Sequence, residues 1–351
     1  MFLKKEGKMS ISFGIIGTGI MGNSVARVLK LLPNARIAAL ADLDRERLEK
    51  SGKEFGVSAL YTNYKEMLEK EKLDAVAVAT PDNYHKQPVV DSLHAGCHVF
   101  VEKPLTTSQE EAEEIYRVTQ KTKKKLQIDF NHRWLSPYHK IKEMVLNGEL
   151  GDPVIAYARK NNPLYVPTEM IGKWSSKTTP SWFLSTHDID LVNWWFDADP
   201  VEAYAKGIKK VLVEKGFDTY DGIQALVSFE GGKFATFEAI WIYPNSSPYM
   251  PDSYMELVGT KGTTHIDRQA EAIDAMVEKK FVCPRTFLNY KVFDEWQGAY
   301  PACVKAFLYA IENNTEPHVS AKDGVRNTAI LQAIHKSLDS KKPERINLNY
   351  L

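Results

Sequence analysis

The sequence predicts an α/β domain on a parallel sheet, followed by an α+β domain with an open, mainly antiparallel sheet. Three observations carry this. A glycine-rich turn separates an apolar strand from an amphipathic helix near the start of the chain. Strand and helix patterns then alternate to about residue 130, as in doubly wound folds. Beyond Asp152 the texture changes to one strand after another. The expected boundaries are 9–130 and 131–351. Two domains suit a chain of 351 residues at roughly 150 residues per domain. Met9 is expected to be the natural start, with the first eight residues an extension.

ISFGII (11–16) is a short apolar run suited to a buried parallel strand. GTGIMG follows directly: Gly17, Thr18, Gly19, Ile20, Met21 and Gly22, with glycines in G-x-G-x-x-G spacing. Gly17 allows a tight turn, Gly19 lets backbone approach a pyrophosphate, and Gly22 lets helix and strand pack closely. The helix of Val25, Val28, Leu29 and Leu32 stops at Pro33, and its N-terminus offers free N–H groups to phosphates. A second strand, RIAALAD (36–42), ends in Asp42. A carboxylate there can accept both ribose hydroxyls of NAD and would repel the added phosphate of NADP. The alternative for Asp42 is a solvated acid or a helix cap. Nearby Arg45 keeps NADP from being excluded, so the expected cofactor is NAD, with NADP the lesser choice.

DAVAVAT (74–80), HVFVE (98–102) and LQIDF (126–130) supply further strands of this Rossmann domain. Ser108 and Glu111, in capping-box spacing, open a helix between the last two. Ligands of such sheets sit at the strand C-termini. The segments to read are therefore GTGIMG, AD, TPDNYH, EKP and NHR.

Bulk numbers exclude some functions. Lys plus Arg equals Asp plus Glu at 45 each, which removes the basic excess expected of a nucleic-acid binder. The run KTKKK (121–125) reads as favourable charge at a helix C-terminus. No apolar run is long enough for a membrane span and no signal-peptide core is visible. Cys97, Cys283 and Cys303 lack metal-ligand spacing. They are expected to be buried thiols of a cytoplasmic protein, and no metal is expected.

Strand, Glu102-Lys103-Pro104 and then helix resembles the Gfo/Idh/MocA family of oxidoreductases. GIIGTGIMG (14–22), ATPDNYH (79–85), AGCHVFVEKPL (95–105), FNHRW (130–134), NGELGDP (147–153), the HDID segment and VGTKGTTHID (258–267) carry the resemblance along nearly the whole chain. It implies that Lys103 lies between nicotinamide and substrate, where an ammonium would stabilise a developing alkoxide. It implies a cis Lys103–Pro104 bond. It adds Thr80, Pro81, His85, Glu102 and Lys103 to the cofactor set, with His85 better suited to orienting its loop than to chemistry. Asn131 and Arg133 would line the substrate cleft, although an exposed Arg is the ordinary case.

In the second half, Trp134, Tyr138, Ile141 and Val145 recur at helical spacing as core. VIAYARK (154–160), GIQALVSFE (222–230), KFATFEAIWI (233–242) and YMELVGT (254–260) are strands, the middle pair a hairpin across Gly231-Gly232. Two helices, near 300–312 and 323–339, close the chain. The resemblance implies oligomerisation through the free sheet face, as a homodimer or homotetramer.

LSTHDIDLVNWWF should begin a helix near Thr186, with His187 in its first turn and Asp190 on the same face. The resemblance implies that His187 is the acid/base toward a substrate hydroxyl, a task suited to a side chain with an unperturbed pKa of about 6.5. The family's usual aspartate four residues earlier is Phe183 here, which weakens any inference to inositol. Trp174, with Lys177, Trp182 and Tyr165, would shape the substrate pocket.

These expectations amount to an NAD-linked dehydrogenase acting on a secondary alcohol of a sugar, polyol or related polyhydroxy compound. Its catalytic residues are Lys103 and His187, and its substrate set is Lys103, Asn131, Arg133, Trp174 and His187. The rivals are a redox-neutral sugar hydrolase or epimerase on a retained NAD, and a non-catalytic nucleotide-gated regulatory protein.

Overall fold

The computed structural model describes residues 10–293 and 295–349. The expectation about Met9 and the leading eight residues lies outside them. Two units divide the chain, the first holding residues up to Asp129 and Tyr300–Val325, the second Phe130–Ala299 and Arg326–Asn349.

The first unit alternates as its patterns demand. Strands β1 (Ile11–Ile16), β2 (Ala35–Ala41), β3 (Leu60–Tyr61), β4 (Ala75–Val78), β5 (His98–Val101) and β6 (Leu126–Ile128) form one sheet in the order β3-β2-β1-β4-β5-β6. Every neighbouring pair is parallel. Strand order reverses between β1 and β4, the place where doubly wound sheets open a crevice beyond their strand C-termini. Helices α1 (Ile20–Lys30), α2 (Arg45–Phe55), α3 (Tyr64–Lys70), α4 (Lys86–His94) and α5 (Gln109–Thr122) make the connections. Ser108 Oγ accepts from the Glu111 amide at 3.4 Å and so caps α5. The residue that caps α2 is Asp44, not Asp42. The short β3 had no signal in the sequence.

A helix from Ala299 to Glu312 completes this unit, whereas the sequence assigned everything beyond residue 130 to the second domain. The reason is burial. Phe307, fully enclosed, packs its ring 6.3 Å from Phe13 and 5.8 Å from Phe100, both sheet residues.

The second unit begins with helix α6 (Ser136–Leu146), and long strand β7 (Pro153–Pro163) leads to helix α7 (Thr186–Phe196). There follow β8 (Pro200–Ile208), a short helix α8 (Val211–Glu214), β9 (Gly222–Phe229), β10 (Phe234–Tyr243), β11 (Asp252–Gly259) and β12 (Thr263–Asp267). Two small hairpins, β13 (Ala275–Val277) with β14 (Lys280–Val282) and β15 (Tyr290–Val292) with β16 (Glu295–Gln297), precede α9, the Ala299–Glu312 helix. Helix α10 (Ala321–Ser340) and strand β17 (Glu344–Arg345) end the described chain. The seven-stranded sheet runs β12-β11-β7-β10-β9-β8-β17 and is antiparallel except where β7 meets β10.

Period-two alternation divides the sheet into two faces. Ala156, Ala158, Ala225, Val227, Ala235 and Phe237 point into a core shared with Tyr138, Ile189, Trp195, Ile330 and Ile334. The other face leaves Ile155, Leu226 and Phe234 exposed. Among the described residues no helix is long and apolar enough to cross a membrane. Cys97 and Cys303 are buried as expected, but Cys283 is half-exposed beside Asp274, because the small hairpins are too thin to enclose it.

Candidate active site

In the first unit the predicted residues gather at the C-terminal ends of the parallel strands. Gly17 has φ +92°, and a Cβ there would lie 2.5 Å from the Ala79 carbonyl oxygen. At Gly22 a Cβ would come within 1.8 Å of the Gly17 carbonyl oxygen, so strand and helix could not pack with any larger residue. Gly19 is different: an added Cβ would meet only Arg47, 4.0 Å away. The space in front of Gly19 is thus open, as a backbone that must admit a phosphate requires. Ile20 is exposed, and α1 has no side-chain cap. Thr80 Oγ1 is buried at the next strand end without a hydrogen-bond partner among the described residues. An open cradle beside an orphaned hydroxyl fits a dinucleotide.

Asp42 closes the cradle from the end of β2. Its Oδ2 accepts from the Thr18 amide at 2.7 Å and the Thr18 hydroxyl at 2.9 Å, and Oδ1 accepts from the Asp44 amide at 2.9 Å. Arg45, the expected nearby cation, turns away to Glu49 at 3.0 Å. The cation beside Asp42 is Arg47, 3.8 Å from Oδ2. Helix geometry explains the error: positions 45 and 47 of α2 are two apart and face different sides.

The Lys103–Pro104 peptide is cis, as expected. Lys103 is half-buried, and desolvation pushes its pKa below the usual lysine value. The Glu102, Asp82 and Asp129 carboxylates oppose that fall. Burial raises Glu102 to about 7, against the pull of Lys103 and of the Tyr300 hydroxyl 3.4 Å away. The same hydroxyl reaches the Met21 carbonyl at 3.3 Å, which ties α1 to the end of β5.

His85 is enclosed and spans two loops. Its Nδ1 lies 2.8 Å from the Pro104 carbonyl and its Nε2 2.8 Å from the Thr80 carbonyl. Burial pushes its pKa down, while both carbonyls and Asp82 pull the other way. Two carbonyl acceptors are fully satisfied only by a ring carrying both protons. With both nitrogens committed to backbone, His85 orients Thr80, Pro81 and Pro104 and has no ring nitrogen left for a cofactor.

In the second unit a single π-type turn over Ser181–Ser185 runs into α7, so His187 lies in the first turn of the α-helix. His187 is half-buried. Its ring stacks on His132, with centroids 4.0 Å apart and planes at 18°, and meets the edge of Phe130 at 6.4 Å. His132 is enclosed, and burial pushes its pKa well down, assisted by His187, Lys160, Arg268 and Arg285. Lys160 Nζ lies 3.5 Å from His132 Nδ1 and donates to Asp188 Oδ1 at 2.5 Å. A neutral imidazole therefore supports His187 from behind.

Arg133 does not reach a ligand-facing surface, contrary to expectation. It is 5% exposed, its Nε and Nη2 donate to Asp190 at 2.9 and 2.6 Å, and its guanidinium lies 5.3 Å from the Trp194 ring centroid. The apolar surroundings demand a carboxylate partner for it, and Asp190 supplies one. Asn131 is also buried, at the start of the same 3-10 turn. Phe183, in the position of the missing aspartate, packs edge-on against Trp174 at 6.1 Å and Trp241 at 5.7 Å. Trp174 is half-buried, and its indole N–H has no hydrogen-bond partner among the described residues.

The sequence reading passed over His132, Lys160, Arg268 and Arg285. His132 sat between two residues that were chosen. Lys160 had a signal: it continues the inward register of Ala156 and Ala158, where an unpaired lysine would be costly.

A Gfo/Idh/MocA family model, described as an oxidoreductase-family NAD-binding Rossmann fold, matches residues 11–130. The companion C-terminal alpha/beta domain of that oxidoreductase family matches residues 142–348. The chain belongs to this family. Among its relatives, the myo-inositol 2-dehydrogenase of Thermotoga maritima is 26% identical, over 95% of this chain and 98% of that protein. The scyllo-inositol 2-dehydrogenase (NAD(+)) of Bacillus subtilis is 27% identical, over 95% and 96%. A crystal structure of scyllo-inositol dehydrogenase from Lactobacillus casei, with NAD(H) and scyllo-inositol bound, superposes with a TM-score of 0.83 at 23% identity, over 96% of this chain and 99% of that one. This Gfo/Idh/MocA chain therefore shares an NAD-binding oxidoreductase fold with polyol dehydrogenases.

Proposed function

We propose that this Gfo/Idh/MocA protein is an NAD-linked dehydrogenase that moves a hydride between nicotinamide and a secondary alcohol of a sugar, polyol or related polyhydroxy compound. The observation that carries the reading is Lys103. Its ammonium is held at a strand end among three carboxylates although desolvation disfavours its charge. Such a cation can stabilise oxygen charge that develops on the substrate. Gly17 to Gly22, Asp42, Thr80, Pro81, Glu102 and Lys103 hold the dinucleotide, which when bound accepts the hydride. His187 exchanges the hydroxyl proton, with His132 kept neutral behind it. Asn131 and Trp174 belong to the substrate side. Arg133 is withdrawn from that side because Asp190 occupies it.

Thr18 on Asp42 supports NAD as the cofactor, since the carboxylate is already oriented at the glycine loop. The exposed Ile155, Leu226 and Phe234 on one sheet face support self-association through that face, as a homodimer or homotetramer. The enclosed thiols of Cys97 and Cys303 support a reducing, cytoplasmic setting.

The test is NADH formation by absorbance, with NAD⁺ or NADP⁺, on inositols, sugars, sugar acids and glycosides. Signal on one compound class supports the reading and sets the cofactor. Silence across the panel with tightly retained NAD overturns it in favour of a redox-neutral enzyme or a regulatory protein.

A further inference from the structure

Three carboxyls crowd one ammonium at the strand ends of the first unit: Asp82, Glu102 and Asp129 all act on Lys103. Glu102 and Asp129 stand side by side for a topological reason. Strands β5 and β6 are parallel and pair Val101 with Ile128, and the ladder continues with the Asp129 amide donating to the Val101 carbonyl at 2.8 Å. The residue after each strand therefore leaves the sheet alongside the other. Both are buried, Glu102 at 5% exposure and Asp129 at 0%. Helix α9 closes over them with two donors three residues apart, hence on one face. The Tyr300 hydroxyl donates to Glu102 Oε1 at 3.4 Å, and the Cys303 thiol is hydrogen-bonded to Asp129. Gln127 Nε2 holds Cys303 in place, 2.8 Å from its carbonyl oxygen and 3.4 Å from its sulfur. The two carboxyls are also hydrogen-bonded to each other. Asp82 faces His85 as well as Lys103, and His85 pulls on it more strongly.

We propose that Glu102 and Asp129 share a single proton and act as one monoanionic positioning pair that keeps Lys103 an ammonium. Chemistry requires the proton. An ionised carboxylate only accepts, so a hydrogen bond between two carboxyls exists only when one of them is protonated. Like charges this close, away from water, do not both ionise. The proton belongs to the pair and not to either residue. Burial raises Glu102, the direction a retained proton demands. Tyr300 and Cys303 remain neutral donors, pushed up by burial and by the two carboxyls. One net negative charge is the quantity that suits Lys103. With none, desolvation would discharge the amine. With two, the ammonium would be drawn into its counter-ions and away from a substrate oxygen. The use of the pair in turnover rests on the Lys103 reading above; the shared proton does not.

The experiment reads the proton and the ammonium separately, on the full-length protein as purified. Infrared spectra at about pH 6, where ordinary carboxyls are ionised, are compared for the wild type, Glu102→Gln, Asp129→Asn and the double change. A protonated-carboxyl component of the wild-type spectrum should vanish in either single change, because the carboxyl left behind ionises. Loss in only one of the two, or in neither, overturns the proposal. Tyr300→Phe keeps both carboxyls and should shift that component without removing it; an unmoved band also sinks the pair. Acetylation of Lys103 against pH, followed by mass spectrometry, reports the ammonium. Each single change leaves one carboxylate and should keep the wild-type midpoint. The double change removes the charge, and the midpoint should fall by about one pH unit or more. An unmoved midpoint in the double variant, or an equal fall in a single one, refutes the positioning role. Neither readout needs turnover. If no polyol yields NADH while both hold, the hydride-transfer reading fails and the pair stands. If NADH forms but band and midpoint ignore these changes, the reverse holds.

Discussion

Around Lys103, the charged groups come from successive strand ends: Asp82 after β4, Glu102 after β5 and Asp129 after β6. Around His187, they come from segments scattered between residues 132 and 285, including the middle of β7 and a loop between two small hairpins. The first arrangement follows from strand topology. Any parallel sheet brings its strand C-termini to one edge, so a short motif after each strand is sufficient to build a centre. The second arrangement depends on side chains finding partners across the fold, and each buried charge needs its own opposite. A centre of the first kind tolerates drift in its supporting residues, whereas one of the second kind must change them in pairs.

Breaking a pair in the second unit should have the largest effect. Asp188→Ala leaves Lys160 charged and enclosed, and should cost about 3–5 kcal/mol of stability, read from the urea unfolding midpoint. The double change Lys160→Met with Asp188→Leu should recover most of that loss. Equal loss in both variants would remove the pairing argument.

Lys103→Ala should lower kcat about 10²–10³-fold, the range for losing one preorganised donor to a developing oxyanion, with little change in unfolding midpoint. Normal turnover would overturn the mechanism. His187→Ala should cost less, about tenfold to a hundredfold, because water can partly replace an imidazole. The two losses combined should fall short of their product if both residues serve one step.

His85→Gln tests whether the first unit's centre depends on its clamp. A glutamine lacks the rigid ring that places one nitrogen at each carbonyl, so about 1–3 kcal/mol of stability should go, together with weaker NAD binding by fluorescence titration.

In pH dependence the two centres should show opposite signs. Glu102 is raised to about 7 from 4.5. Its contribution is fully present below 4.5 and is lost as pH rises through 7. His132 is depressed below 6.5. Its contribution is present above 6.5 and is lost as pH falls. Stability curves of Glu102→Gln and His132→Gln between pH 5 and 8 should therefore deviate from the wild type at opposite ends.

The same contrast explains what the sequence revealed. GTGIMG and Asp42 were legible because each follows a recognisable strand; the strand ends also marked TPDNYH and EKP, but the roles of Thr80, His85 and Lys103 came with the resemblance. His187 was legible only through the resemblance, and its supporting shell was largely invisible. Lys160 broke the apolar register of β7 and could have been found. Arg268 and Arg285 follow no period, and Glu271 sits in a turn with φ +40° that no local pattern announces. Arg133 misled because its motif implied a ligand, while its burial had already required Asp190. Among the strands, β3 and β17 are two residues each, too short for alternation to register.

The return of α9 to the first unit bears on how the chain is made. Synthesis delivers the N-terminal part first, so the sheet from β1 to β6 leaves the ribosome long before Phe307 does. Until then the faces of Phe13 and Phe100 lack their lid. A nascent chain must carry that apolar surface from Ile128 to Phe307, a long interval in which a chaperone has a defined patch to hold. A fragment ended near residue 130, however natural that boundary looks in sequence, would keep the patch uncovered for good.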